Sequence, residues 1–167
     1  MEKVLILLII LVPVFFIVAA PVIKGAPYLP IDKKRLKALL KLSEAKQGDK
    51  VVDLGSGDGR IVIEFAKKGI ESHGYEINPI LVLISKMKIR KAGLRNKAFI
   101  HWRSLWNIDF PKYSIITSYP VKGIMKSLEK KLQNRTTPRS KIILHIFKFP
   151  SWKYEKVLDN NYLYIKE

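Results

Sequence analysis

The chain contains no cysteine, which excludes disulfides, a thiolate nucleophile and cysteine-bound zinc or iron–sulfur centres. Histidine is scarce: His73, His101 and His145 have no ligand spacing between them, so no metal is expected. Acidic residues are few as well, 14 Asp and Glu against 31 Lys and Arg, and the formal charge is +17. Only Glu2 and Lys3 of the charged residues precede Lys24, so the positive excess belongs to the rest of the chain. Such a surface favours an anionic neighbour, either a polyanion or an anionic lipid surface. A length of 167 residues accommodates one core of ordinary size with a short appendage. There is no internal repeat and no low-complexity tract.

Charge is absent altogether from Val4 to Ile23, twenty consecutive residues without a strongly hydrogen-bonding side chain. At 1.5 Å per residue a helix of that length spans roughly 30 Å of hydrocarbon. Pro13 and Pro21 would kink it, which membrane helices tolerate. The alternative is a cleaved signal peptide with Val18 and Ala20 at its small-residue positions, but Pro21 would then follow the scissile bond. The expectation is a transmembrane anchor over residues 1–24, a linker and first helix over 25–48, and a catalytic domain over 49–167. Lys24, Lys33, Lys34, Arg35 and Lys37 follow the apolar run, and the positive-inside rule then puts the domain on the cytoplasmic side of a single-pass membrane protein.

Pro27, Tyr28 and Pro30 make a stiff extended linker. Asp32 reads as the N-cap of a helix through Ala45 that Gly48 ends. Short apolar strands then alternate with helices: strand Lys50 to Leu54, helix Gly59 to Lys68, strand Ile70 to Glu76, helix Pro79 to Ala92 and strand Ala98 to Trp102. Strand Tyr113 to Ser118, helix Val121 to Gln133, strand Lys141 to Phe147 and a hairpin from Trp152 to Lys166 turning at Asp159, Asn160 and Asn161 complete the chain. This alternation predicts an α/β fold with a mostly parallel Rossmann-like sheet, ligands at the carboxyl ends of the strands, and a C-terminal hairpin.

Val51-Val52-Asp53-Leu54-Gly55-Ser56-Gly57-Asp58-Gly59-Arg60 is a buried strand feeding a glycine-rich turn at a helix start. A dinucleotide fingerprint reads G-x-G-x-x-G, but here the third glycine comes one residue early and Asp53 precedes the first. A carboxylate there would repel a pyrophosphate, whereas it suits S-adenosylmethionine (SAM), which carries an ammonium and a sulfonium. Glu76 ends the second strand, where folds of this topology place an acid on ribose hydroxyls.

Asp53 to Arg60, Gly74-Tyr75-Glu76-Ile77-Asn78-Pro79 and Pro27-Tyr28-Leu29-Pro30 together resemble a family of small protein-lysine methyltransferases. That family includes mitochondrial enzymes acting on the ATP synthase c subunit and on the adenine nucleotide translocase, and small archaeal enzymes. The resemblance extends through Leu105-Trp106, Leu128 to Leu132 and Phe147 to Trp152. It implies a class I SAM-dependent methyltransferase with SAM as co-substrate and a protein substrate bearing an accessible, membrane-proximal lysine. Asp53, Gly55, Gly57 and Glu76 would bind SAM, joined by Ser56, Gly59, Asn78, Ser104 and Leu105. Tyr28 would lie over the place where methyl donor and lysine meet. Relatives commonly hold the adenine amino group with an acid just before Leu-Trp, where this chain has Ser104.

Ser118-Tyr119-Pro120 stands where amino-group methyltransferases of nucleic acids carry Asn-Pro-Pro-Tyr, and the match is poor. Tyr119 is expected as a second wall of the catalytic pocket. Lys86, Lys88, Arg90, Lys91, Arg95 and Lys97 lack interleaved aromatics, so contact with anionic lipid is favoured over nucleic acid. Two alternatives remain open: an RNA methyltransferase, and a non-catalytic SAM-binding module at a membrane.

Overall fold

A computed structural model of the chain describes residues 28–167 and, before them, Ile9 alone. The expected membrane helix therefore lies outside the described residues, among which no helix is long and apolar enough to cross a membrane.

From residue 28 onward, four α-helices and seven strands follow one another as α1 (Lys33–Ser43), β1 (Lys50–Leu54), α2 (Arg60–Lys67), β2 (Glu71–Glu76), α3 (Pro79–Lys91), β3 (Ala98–Trp102), β4 (Ile115–Ser118), α4 (Met125–Arg135), β5 (Lys141–His145), β6 (Lys156–Leu158) and β7 (Asn161–Ile165). The strands form one sheet in the order β3-β2-β1-β4-β5-β7-β6. Pairing is parallel from β3 through β5, and β7 runs antiparallel between β5 and β6. The order reverses between β1 and β4, which opens a crevice at their carboxyl ends.

Successive residues of a strand point to opposite faces, and the core divides accordingly. Val51, Ile115, Ile143 and Leu163 pack with Leu39, Leu40 and Phe65 of α1 and α2. Val52, Ile116, Ile142 and Tyr164 pack with Leu128 and Leu132 of α4. Each of these large apolar side chains contributes about 1.5–3 kcal/mol by leaving water.

Asp32 caps α1 by accepting from the Arg35 amide at 2.9 Å. Several boundaries differ from the expected ones. Helix α1 stops at Ser43 rather than Ala45, because Glu44 takes a left-handed conformation with φ 47° and its amide donates back to the Lys41 carbonyl. Strand β4 starts at Ile115, since Tyr113 closes a turn onto the Phe110 carbonyl and the Ser114 hydroxyl donates to Asp49. Strand β5 ends at His145 instead of Phe147, as Ile146 has φ 68° and its amide donates to Asn160. The helix expected from Val121 begins as a 3₁₀ turn over Lys122–Ile124 and continues to Arg135. The terminal hairpin is shorter than expected, turning on left-handed Asp159 and Asn160, with φ 46° and 58°, and Asn161 already belongs to β7. Ser151 and Trp152 stay out of it because their amides donate to the Glu129 carboxylate of α4.

Candidate cofactor and substrate site

A cavity of about 730 Å³ opens at the carboxyl ends of β1, β2 and β4, a size usual for small-molecule sites. Its wall contains Tyr28, Asp53, Gly55, Ser56, Gly57, Glu76, Asn78, Ser104, Leu105 and Tyr119. Residues singled out across ninety positions of sequence are thus brought to one place. Gly59 is the exception: a Cβ added to it would come 3.0 Å from Ser85 of α3, so it is turned away from the cavity. Its place in the motif serves helix packing as well.

The glycine-rich turn is held from behind. The amides of Gly55 and Ser56 both donate to the Tyr75 carbonyl, at 2.9 and 3.0 Å. The Gly57 amide donates to Glu76 Oε2 at 2.9 Å, while Glu76 Oε1 accepts from the Ile77 and Asn78 amides at 2.9 and 2.8 Å. Glu76 thereby joins the turn to the start of α3, and Oε2 keeps acceptor capacity for a hydroxyl. A Cβ at Gly74 would come 2.5 Å from Ser56 Oγ, so only glycine lets the turn sit this close to β2. The buried Ser56 hydroxyl has no hydrogen-bond partner among the described residues. Asn78 spends its side-chain oxygen on the Ile80 and Leu81 amides as the N-cap of α3.

Asp53 is 2% exposed at the floor of the cavity and accepts from the Thr117 hydroxyl at 2.7 Å. Burial pushes its carboxyl up to about 7, against the pull of the Thr117 hydrogen bond and helped by the nearby Glu76 and Asp58 carboxylates. A cationic ligand group beside Asp53 would draw it back to the ionised form.

Tyr28 lies across the turn, and a Cβ at Gly57 would be 3.0 Å from its ring. Asp58 and Arg60, quoted in the motif without a role, explain why it stays there. Arg60 donates through Nε and Nη2 to both Asp58 oxygens, through Nη1 to the Ile31 carbonyl at 2.8 Å, and through Nη2 to the Tyr28 hydroxyl at 3.1 Å. Burial works against an ionised Asp58, yet Arg60 and Lys88 hold its carboxyl well below the usual carboxylate range. Burial and the Asp58 charge raise the Tyr28 phenol, so it stays protonated at neutral pH and offers a wall rather than a base.

Ser104 caps the short 3₁₀ turn Leu105–Asn107 by accepting from the Trp106 amide at 3.3 Å, which leaves its O–H as a donor. Tyr119 packs edge-on against His145, their ring centroids 4.6 Å apart. His145 is held by Asn161 at 3.0 Å, and His73 pairs with His101 at 3.0 Å on the sheet face. Among the described residues no group of acids and histidines could hold a metal ion.

The donor set fits SAM on the structure's own terms: a buried carboxylate for an ammonium, a strand-end carboxylate for a diol, and apolar walls from Leu54, Leu81 and Leu105. Comparison with known proteins points the same way. The lysine N-methyltransferase of the ATP synthase c subunit from Xenopus laevis is 38% identical over 75% of this chain and 55% of its own length. A protein-lysine N-methyltransferase of Saccharolobus islandicus is 29% identical, covering 83% of this chain and 92% of the relative. The chain spans little more than half the length of the vertebrate relatives it matches. Among solved structures, an RNA methyltransferase from Salinibacter ruber in complex with S-adenosyl-L-homocysteine superposes with a TM-score of 0.77 at 27% identity, over 83% of this chain and 95% of that one. Residues 53–156, from the floor carboxylate to the first strand of the hairpin, match the ANTKMT methyltransferase domain, and the chain belongs to that family.

Proposed function

We propose that the chain is a SAM-dependent methyltransferase that transfers methyl groups to lysine side chains of a protein at a membrane. The observation that carries this reading is the convergence of Asp53, Glu76 and Tyr28 on one cavity, in a family whose relatives bear lysine methyltransferase names. SAM supplies an electrophilic methyl on a sulfonium. Asp53 would take its ammonium, Glu76 its ribose hydroxyls, and Ser104 with Leu105 the adenine side, all four lining the cavity. Tyr28 and Tyr119 also line the cavity and would form the walls between which an amine approaches.

The lysine must arrive neutral, which at pH 7 costs roughly 4.6 kcal/mol from a pKa near 10.4. Desolvation between aromatic walls lowers that pKa, and alignment in line with the breaking carbon–sulfur bond supplies much of the rate. No side chain has to act as a base, since the lysine ammonium loses its proton to solvent and attacks as the free amine.

The membrane part of the reading rests on the apolar run of residues 4–23, which would anchor the chain with its domain on the cytoplasmic side. Methylation of RNA is the second reading, favoured by the likeness to the Salinibacter ruber structure. Purified full-length chain with radiolabelled SAM, offered membrane protein and RNA in parallel, separates the two. Label in protein, assigned to lysine by mass spectrometry and lost in Glu76→Ala, is expected. Label in RNA alone would overturn the lysine assignment, and label in neither would return the chain to a SAM-binding module.

A further inference from the structure

Helix α3 is apolar on two faces. Val82, Ser85 and Ile89 are buried against the sheet. Ile80, Leu83 and Met87 face solvent, 43%, 60% and 62% exposed, with half-buried Ile84 among them. Their i, i+3, i+4, i+7 spacing sets them in one stripe opposite the core face. Trp102 at the end of edge strand β3 is 68% exposed, and its indole donates to the Ile77 carbonyl at 3.0 Å, which fastens the ring beside the start of α3.

Charge around this stripe has one sign. No Asp or Glu occurs between Ile77 and Ile108. Lys86, Arg90, Lys91, Arg95, Lys97 and Arg103 are all exposed, and none forms an ion pair among the described residues. Lys88 is the one cation of the segment held by a carboxylate, that of Asp58.

We propose that this face of the catalytic domain docks on an anionic bilayer surface, with the α3 stripe entering the headgroup boundary and the flanking Lys and Arg meeting lipid phosphates. The inference rests on the reading that the chain works at a membrane, and adds a second contact, made by the folded domain itself. An exposed aliphatic stripe rimmed by cations is the composition of interfacial helices, and tryptophan favours the same depth. A single strand of RNA would want aromatic faces to stack on, and the stripe is aliphatic apart from Trp102. A second copy is disfavoured by charge, because a two-fold interface would set Lys86, Arg90 and Lys91 of each copy against their equivalents. The face is continuous with the site: Ile77 and Leu81 line the cavity, and Tyr28, where the chain arrives from the apolar run, lines it too. Docking there would hold the cavity mouth at headgroup level.

The absence of cysteine permits a direct test with nitroxide labels at Leu83→Cys and Met87→Cys in the full chain, and at Val157→Cys on the opposite sheet edge as a control. The chain is reconstituted in vesicles of phosphatidylcholine with or without phosphatidylglycerol. With the anionic lipid, labels 83 and 87 should lose access to an aqueous nickel chelate several-fold and gain access to oxygen, while label 157 stays aqueous. Arg90→Glu with Lys91→Glu should reverse the change. Labels 83 and 87 remaining aqueous, with the chain still floating with the vesicles, would overturn the docking face and leave the anchor reading intact. A chain that does not float would overturn both. Spin–spin broadening at 83, or immobilisation there by single-stranded RNA alone, would overturn the lipid assignment in favour of a second copy or of nucleic acid.

Discussion

Asp53 concentrates the electrostatics of the site in one group. Its carboxyl titrates near 7 in the fold and near its ordinary 3.8 when unfolded. Between those values the folded chain binds the extra proton, so ligand-free stability falls as pH rises from about 4 to 7. Binding a cationic ligand works in the opposite direction, because it requires the carboxylate. SAM affinity should therefore rise with pH, approaching roughly tenfold per unit below about pH 6 and levelling above 7. Calorimetry at pH 6 in buffers of different ionisation enthalpy should register a proton released on binding, and Asp53→Asn should bind more weakly with no such release. An equal pH slope in the variant would place the proton elsewhere. Asp53 itself is legible in the sequence, two residues ahead of the first glycine. Its partner Thr117 is not, since a threonine inside an apolar strand carries no mark until β1 and β4 pair and set it opposite Asp53.

Among the elements, the strand and helix order is readable from periodicity, and the adjoining ends of β2 and α3 from Glu76, Asn78 and Pro79. What periodicity does not locate are the places where single side chains override it. Glu129 is a buried acid on an otherwise ordinary amphipathic helix, and by accepting from Ser151 and Trp152 it fixes where the hairpin begins. Gly59 shows the converse, a motif residue that also packs close against Ser85. Arg60 does for the segment Tyr28 to Ile31 what Glu129 does for the loop before β6. Arg60→Gln should release that segment, visible as increased backbone motion of Leu29 and Ile31 in NMR relaxation, since Arg60 holds the Ile31 carbonyl and the Tyr28 hydroxyl. Turnover should then fall by more than SAM affinity, because Tyr28 is lost from the mouth while Asp53 and Glu76 keep their places. Equal losses in both would mean that Tyr28 serves mainly to cover the cofactor.

At the scale of the whole molecule, the clamp on Tyr28 and Ile31 sets the length of the tether that the proposed membrane anchor would have. The linker expected from Gly25 to Ile31 is shortened, since its last residues are bonded to the domain. Lys24 to Pro27 then join Ile23 to the clamped Tyr28 with a reach of about 18 Å when fully extended. If residues 4–23 lie in a bilayer, the cavity mouth can then serve only lysines close to that surface, at a raised effective concentration. A chain shortened to begin at Lys24 should fold and bind SAM as the full chain does, since the core of the described residues begins at Ile31. It should also methylate a soluble lysine peptide at high concentration, but lose membrane-embedded substrates in cells, as read by mass spectrometry of lysine methylation. Restoring membrane attachment through an unrelated apolar helix of the same length should recover them, whereas the same helix followed by a long flexible spacer should recover less. Equal efficiency of the shortened and full chains on membrane substrates would show that selectivity resides in the domain surface, and would leave the apolar run to a role in export.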